Sequence, residues 1–236
     1  TSTNFSLGFT SDIGDATTLT VDFYKIEVED RIYRTGNIPL PPLPSGLETS
    51  ISFYTNALDV EHSGMDLVLT SRFNWGSGDT NTMLTLAYNY NEIDVTGQKL
   101  INGVQPVGDD LVEDIENNYP EHRAVLTTNT YFNERWNFLA RFNYYGSHWD
   151  ERGRIGAESN PSAKVGSVVY VDVELAWQAT DNWRFAAGAV NVFDEYIGKL
   201  GPPFANRLSV GLEYPRRSAA NYEGGSWYLR GTFNWF

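Results

Sequence analysis

The sequence predicts an all-β protein: a transmembrane antiparallel up-and-down β-barrel, of which this chain supplies about nine strands. Three observations carry that expectation. Apolar and polar residues alternate over segments about ten residues long, while helical periodicity is nearly absent. The connections between those segments are short at one end and long at the other. Tryptophans gather beside the short connections, as amphipathic rings do at a membrane interface.

The elements follow in order. Phe5, Leu7 and Phe9 alternate with Ser6 and Gly8, and a turn follows at 12–16. Leu19, Val21 and Phe23 then alternate with Thr20 and Asp22, after which Ile26 and Val28 take over the apolar role. That slip of phase predicts a β-bulge between Phe23 and Ile26. Met65, Leu67 and Leu69 form a third strand, and Leu84, Leu86, Tyr88 and Tyr90 a fourth. Leu126 to Phe132 is a weaker fifth, followed after a tight turn by Trp136, Phe138, Ala140, Phe142 and Tyr144. Val169, Val171, Val173, Leu175 and Trp177 make the cleanest alternation, and Trp183, Phe185, Ala187 and Ala189 answer it. The last strand sets Trp227, Leu229, Phe233 and Trp235 against Tyr228, Arg230, Thr232 and Asn234, and the chain closes on Phe236.

Connections near 12–16, 76–80, 133–135 and 180–182 are short, whereas 35–50, 97–121, 147–165 and 194–225 are long and rich in Gly, Pro and acidic residues. In an outer-membrane barrel these are the periplasmic turns and extracellular loops respectively. Trp75, Trp136, Trp177, Trp183 and Trp235 mark the short-turn level, with Trp149 and Trp227 at the opposite one. The open sheet of nine strands would leave two edges unpaired in lipid, on the order of several kcal/mol for each unsatisfied backbone group. Partner strands from the same protein are therefore expected.

Composition narrows the function. A net charge of −13 over 236 residues argues against nucleic acid, whose phosphates need Lys and Arg. The absence of Cys removes disulfides, thiolate metal sites and Cys nucleophiles. No apolar run reaches the roughly 18–20 residues of a membrane-crossing helix. The chain starts at Thr1 without a signal peptide, so a processed product or a piece of a longer protein is expected. No GxSxG motif or Ser/His/Asp set points to catalysis. His62, His122 and His148 fall at expected loop ends beside Glu61, Glu121 and Asp150, where solvated loop polarity explains them better than a metal site. The acidic run 108–121 lacks EF-hand spacing and reads as a solvated loop.

Several segments also carry a resemblance. STNFSLGF (Ser2 to Phe9), TLTVDFYKIEVEDRI (Thr18 to Ile32), YTNALDVEHSGMDLVL (Tyr54 to Leu69), NYPEHRAVL (Asn118 to Leu126), ARFNYYGSHW (Ala140 to Trp149) and NVFDEY (Asn191 to Tyr196) occur in this order. Together they resemble the C-terminal half of the barrel of a TonB-dependent outer-membrane receptor. The Asn–Ala–x–Asp run is followed by Gly64 and Asp66, the chain closes on an aromatic, and it is jointly that the segments are specific. The resemblance implies that residues 1–236 are the last nine of twenty-two strands, with RLSVGLEY (Arg207 to Tyr214) in the last extracellular loop and no plug domain in this stretch.

The function so implied is import of a scarce nutrient across the outer membrane of a Gram-negative bacterium, a ferric siderophore or other metal chelate foremost. Haem, cobalamin or a glycan as cargo, and a passive porin or translocator barrel, are the alternatives. Neither a cofactor nor catalysis is implied. The partners are the plug and remaining strands, the inner-membrane TonB complex acting through the plug, membrane lipid and lipopolysaccharide, and the nutrient. Siderophore complexes are often anionic, and Arg with aromatic neighbours suits planar anions. Tyr33, Arg34, Tyr119, Trp149, Arg152, Arg154 and Tyr196 are on that ground the candidate ligand residues. Arg141 and Arg230 are instead expected to pair with Asp22, Asp66, Asp172 or Glu174 along a polar lumen wall.

Overall fold

Period-two alternation becomes nine long strands in a computed structural model, which describes residues 1–47, 49–76, 79–151, 153–201 and 211–235. They are β1 (Ser2–Ile13), β2 (Thr17–Arg34), β5 (Tyr54–Trp75), β6 (Thr80–Gln98), β7 (His122–Phe132), β8 (Trp136–Tyr145), β11 (Val168–Gln178), β12 (Trp183–Val190) and β13 (Ser226–Phe233). Each pairs antiparallel with its predecessor, in the sheet order β1-β2-β5-β6-β7-β8-β11-β12-β13. This is an up-and-down barrel wall, left open because β1 and β13 each have one neighbour. Two small hairpins rise from the long connections: β3 (Ile38–Pro39) with β4 (Ser50–Ile51), and β9 (His148–Trp149) with β10 (Lys164–Val165).

Register decides which residues share a face. One row runs Leu7, Phe23, Met65, Tyr90 and His122. Others run Leu126, Phe142 and Val171, and Leu175, Ala187 and Leu229. All lie on a single face, where Phe5 is 65% and Leu229 75% exposed. A water-soluble sheet would cover so wide an apolar face, whereas a membrane strand presents it to lipid. Near the short turns this face carries a chain of rings: Trp136 stacks on Trp177, and Trp183 meets both Phe185 and Phe233. Toward the long loops the band ends in charge, where Lys25 bridges Glu27 at 3.0 Å and Glu61 at 3.1 Å on the same face.

The opposite face is polar and internally bonded. Arg230 donates to Glu174 at 2.8 and 2.9 Å, and the Tyr228 hydroxyl joins them at 2.6 Å. Asn143 donates to Asp172 at 3.1 Å, and Asn89 to Asp66 at 2.7 Å. The expected lumen pairing thus holds for Arg230, while Arg141 lies opposite Asp172 in register. Two glycines make room for rings lying across this face. A Cβ on Gly64 would strike Tyr24, and one on Gly188 would strike Tyr228. Gly188→Ala therefore pushes Tyr228 off Glu174 and costs about 1–3 kcal/mol of overpacking. Thermal unfolding of the intact barrel in detergent reads this as a lower midpoint, and an unchanged midpoint contradicts it.

Three expectations need correction. β2 pairs without interruption as far as Val28, and its register shifts at Val28/Arg31 and Arg31/Ile32, where Asp30 sits at φ 57. The apolar role passes to Ile26 and Val28 because the strand rises out of the lipid band, not because a bulge flips it. Residues 109–117 form a helix, α1 (Asp109–Asn117), in the run read as a solvated loop. Trp149 sits in the β9 hairpin beneath Lys164, whose Nζ lies 5.7 Å from its ring centroid, instead of in a lipid-facing girdle. Phe236 and the first half of RLSVGLEY, residues 207–210, lie outside the described residues. Among the described residues, no helix is long and apolar enough to cross a membrane.

Candidate functional site at the loop-end mouth

β2, β5 and β6 outrun the other strands, and where they leave the lipid band their inner face turns apolar. Leu58, Val60 and Val107 are buried there, with Ile93 and Val95 beside them. α1 caps this patch. Its Leu111, Val112 and Ile115 recur at helical spacing and fall on the patch, with Asp109 and Asp110 exposed. Polar contacts then fix the helix. Arg154 holds Asp109 at 3.2 Å and Glu113 at 3.3 Å, the Ile155 N–H donates to Glu113 at 2.9 Å, and the Val95 N–H donates to Glu116 at 2.9 Å.

Between this helix and the ends of β2 and β5 lies a cavity of about 1030 Å³. Tyr33, Arg34 and Tyr119 line it, together with Arg31, Asp114 and Asn118. Its position follows from register, because His62 and Ile93 on its wall pair with each other on the polar face. Arg34 is steadied by its Nε donating to Ser52 at 3.2 Å, and Ser52 donates in turn to the Thr35 carbonyl at 2.7 Å. Glu151 accepts Arg217 at 2.8 Å and Arg216 at 3.4 Å, so those two guanidinium groups are already committed. The Asn118 Oδ1 is buried without a partner among the described residues. A ligand donor entering the cavity would satisfy it.

Asp114 is the most perturbed carboxyl of this wall. Burial first, then the carboxylates of Glu151, Asp110, Asp150 and Glu113, push it up to about 7. The folded state therefore holds this proton more tightly than an unfolded chain, and the benefit fades as pH rises from about 4 through 7. Asp114→Asn removes that dependence. We expect amide exchange in α1 of the variant to be slower than wild type at pH 8 and equal to it near pH 4. Equal exchange at both values contradicts the assignment.

The seven candidate residues thus divide. Tyr33, Arg34 and Tyr119 meet at the cavity. Trp149 lies in a smaller pocket next to it, which Tyr119 also lines. Arg154 clamps α1, and Tyr196 lies apart with its hydroxyl donating to Asp194 at 3.0 Å. Arg152 is outside the described residues. The sequence reading missed α1 and hence the wall formed by Asp114 and Asn118. Gly108 followed by two first-turn acids and the 111, 112, 115 spacing was the available signal.

The histidines also part company. His62 lies within β5, not at a loop end, and His122 opens β7 with its Nδ1 2.8 Å from the Tyr88 hydroxyl. His148 is 3% exposed, its Nε2 within 3.3 Å of the Ala219 N–H and the Ser218 hydroxyl. It is a buried tie between two loops, and burial lowers its pKa. Among the described residues, no three His, Asp or Glu side chains gather as metal ligands.

A family model for the TonB dependent receptor-like β-barrel matches residues 1–192. The chain belongs to that family. TonB-dependent receptors are transporters rather than enzymes, in keeping with a site built of binding groups. The fold agrees with solved receptors. The outer membrane transporter YddB from Escherichia coli matches with TM-score 0.65 at 13% identity, over 98% of this chain and 32% of that one. A mutant of the ferric enterobactin receptor PfeA from Pseudomonas aeruginosa gives 0.65 at 14%, over 98% and 31%. The ferripyoverdine receptor of the Pseudomonas aeruginosa outer membrane, bound to ferripyoverdine, gives 0.59 at 13%, over 98% and 27%. The TonB-dependent barrel wall described here therefore spans about a quarter to a third of the length of these structures. No curated protein sequence matches the chain.

Proposed function

We propose that this chain is the C-terminal part of the barrel of an outer-membrane TonB-dependent receptor that imports a metal chelate, a ferric siderophore foremost. The mouth cavity carries the reading. It stands on the polar face of the wall, above the lipid band, and offers guanidinium, phenol and buried acceptor groups together. Such a lining suits a chelate whose oxygens take hydrogen bonds while its rings or methylenes lie on tyrosine faces. Capture then falls to Tyr33, Arg34 and Tyr119, with Arg31 and α1 completing the wall.

In the whole receptor, thirteen further strands bring the barrel to twenty-two and pair with the edges β1 and β13. A plug domain fills the lumen, and the inner-membrane TonB complex acts on it to open the passage. Membrane lipid and lipopolysaccharide surround the outer face in the outer membrane of a Gram-negative cell. The ligand-bound and ferric-chelate receptors among the similar folds support this choice of cargo. Uptake of radioactive ferric chelates by cells that carry the intact receptor tests it. We expect accumulation that stops when the inner membrane is de-energised. Equal passive entry of unrelated small solutes would point to a porin instead.

A further inference from the structure

Charge around the mouth cavity is sorted by wall. α1 carries five acids, and three of them are committed: Asp109 and Glu113 to Arg154, and Glu116 to the Val95 N–H. The two left over, Asp110 and Asp114, stand one helical turn apart and line the cavity, and Asn118 continues the same stripe a turn further on. Among the described residues neither of these carboxylates has an ion pair or a side-chain hydrogen bond, and the buried Asn118 Oδ1 has no donor. The facing wall, from β2, brings Arg31 and Arg34, of which only the Arg34 Nε is engaged, on Ser52. Opposite charges thus face each other across about 1030 Å³ with no ion pair between them among the described residues.

Two carboxylates at this helical spacing repel each other. Burial adds to the cost, and the Asp114 carboxyl is pushed up to about 7, the reverse of what a cation seated beside it would do. A bare divalent ion does not fit, because hard cations want about six oxygens and no three acids gather among the described residues. An ammonium or guanidinium carries several N–H donors on one group, which match two carboxylates and an amide oxygen. We propose that the cargo is a bipolar chelate, with its anionic metal centre on Arg31 and Arg34 and a protonated amine or guanidine arm between Asp110, Asp114 and Asn118. The inference rests on the capture of a metal chelate proposed above. It adds a cationic arm, which the arginines alone would not select.

Equilibrium titration of the intact receptor in detergent tests this with two synthetic ferric tris-catecholates, one bearing a pendant aminopropyl arm and one with that arm acetylated. We expect the wild type to hold the amine at least about tenfold more tightly. Asp110→Asn combined with Asp114→Asn should bring the two affinities within about twofold of each other. Equal affinities in the wild type overturn the inference while leaving chelate capture standing. A preference that survives in the double variant also overturns it, since the acidic chain at large, at net charge −13, would then be what attracts the amine. Removing two unpaired like charges should hold or raise the thermal midpoint of the ligand-free receptor. A midpoint that falls instead overturns the inference, because a cation of the plug or the remaining strands would already fill the place. Binding of neither chelate by folded wild-type receptor removes metal-chelate capture itself, and the arm with it.

Discussion

Val173→Arg lowers the stability of the intact barrel in lipid vesicles by about 2–4 kcal/mol, the cost of a lipid-facing guanidinium near mid-membrane. Val173 lies midway along β11, opposite Ala140 on one side and Ala189 on the other. No acid shares that row, and the rings of Trp177 and Tyr144 mark the two ends of the face. Thr85→Arg places the same side chain on the polar face, among Thr70 and Thr127, and is expected to cost less than about 0.5 kcal/mol. Denaturant unfolding of both variants measures the contrast. Similar losses in both would mean that the two faces meet the same solvent.

Replacing both Arg31 and Arg34 by Ala weakens binding of an anionic ferric chelate at least ~100-fold, because two charge-assisted hydrogen bonds of about 1.5–3 kcal/mol each are lost. Arg31 has no ion pair among the described residues, and Arg34 spends only its Nε on Ser52, so both keep donors for a ligand. Tyr196→Phe, outside the cavity, should leave affinity within twofold. Equilibrium titration with a ferric tris-catecholate checks both. A double variant that binds as wild type removes the cavity from the capture site.

Most of the wall was legible in the sequence because one physical rule governs it. Lipid on one side and water on the other impose alternation, so the strand around Val171 declares itself and its partners follow by register. The rule lapses where strands leave the bilayer. Ile26 and Val28, half-buried opposite His62 and Val60, then lie on the inner face above the lipid band, and the change of phase mimics a bulge. α1 itself was obscured by its charge: six acids between Asp109 and Glu121 hide Leu111, Val112 and Ile115. The site was half legible for a related reason. Tyr33 and Arg34 end a recognisable strand, so their height could be read. Whether Arg154 faces a ligand or a helix depends on loop packing, and no periodicity encodes that. His148 was misread because a loop in this molecule has a core of its own, built on Val165, Val168, Tyr170, Ile197 and Ala220.

The most direct test uses the absence of cysteine from residues 1–236, with any cysteine elsewhere in the receptor replaced by Ser. Single cysteines at positions 169 to 175 of β11, in the intact receptor in outer-membrane vesicles, can be challenged with a charged maleimide and with a lipid-borne quencher. We expect Val169→Cys, Val171→Cys, Val173→Cys and Leu175→Cys to resist the maleimide and respond to the quencher. Asp172→Cys and Glu174→Cys should do the reverse, while Tyr170→Cys, buried in the loop core, is shielded from both reagents. Uniform reactivity along the strand would contradict a sheet standing between lipid and a watery lumen, and with it the placement of the cavity.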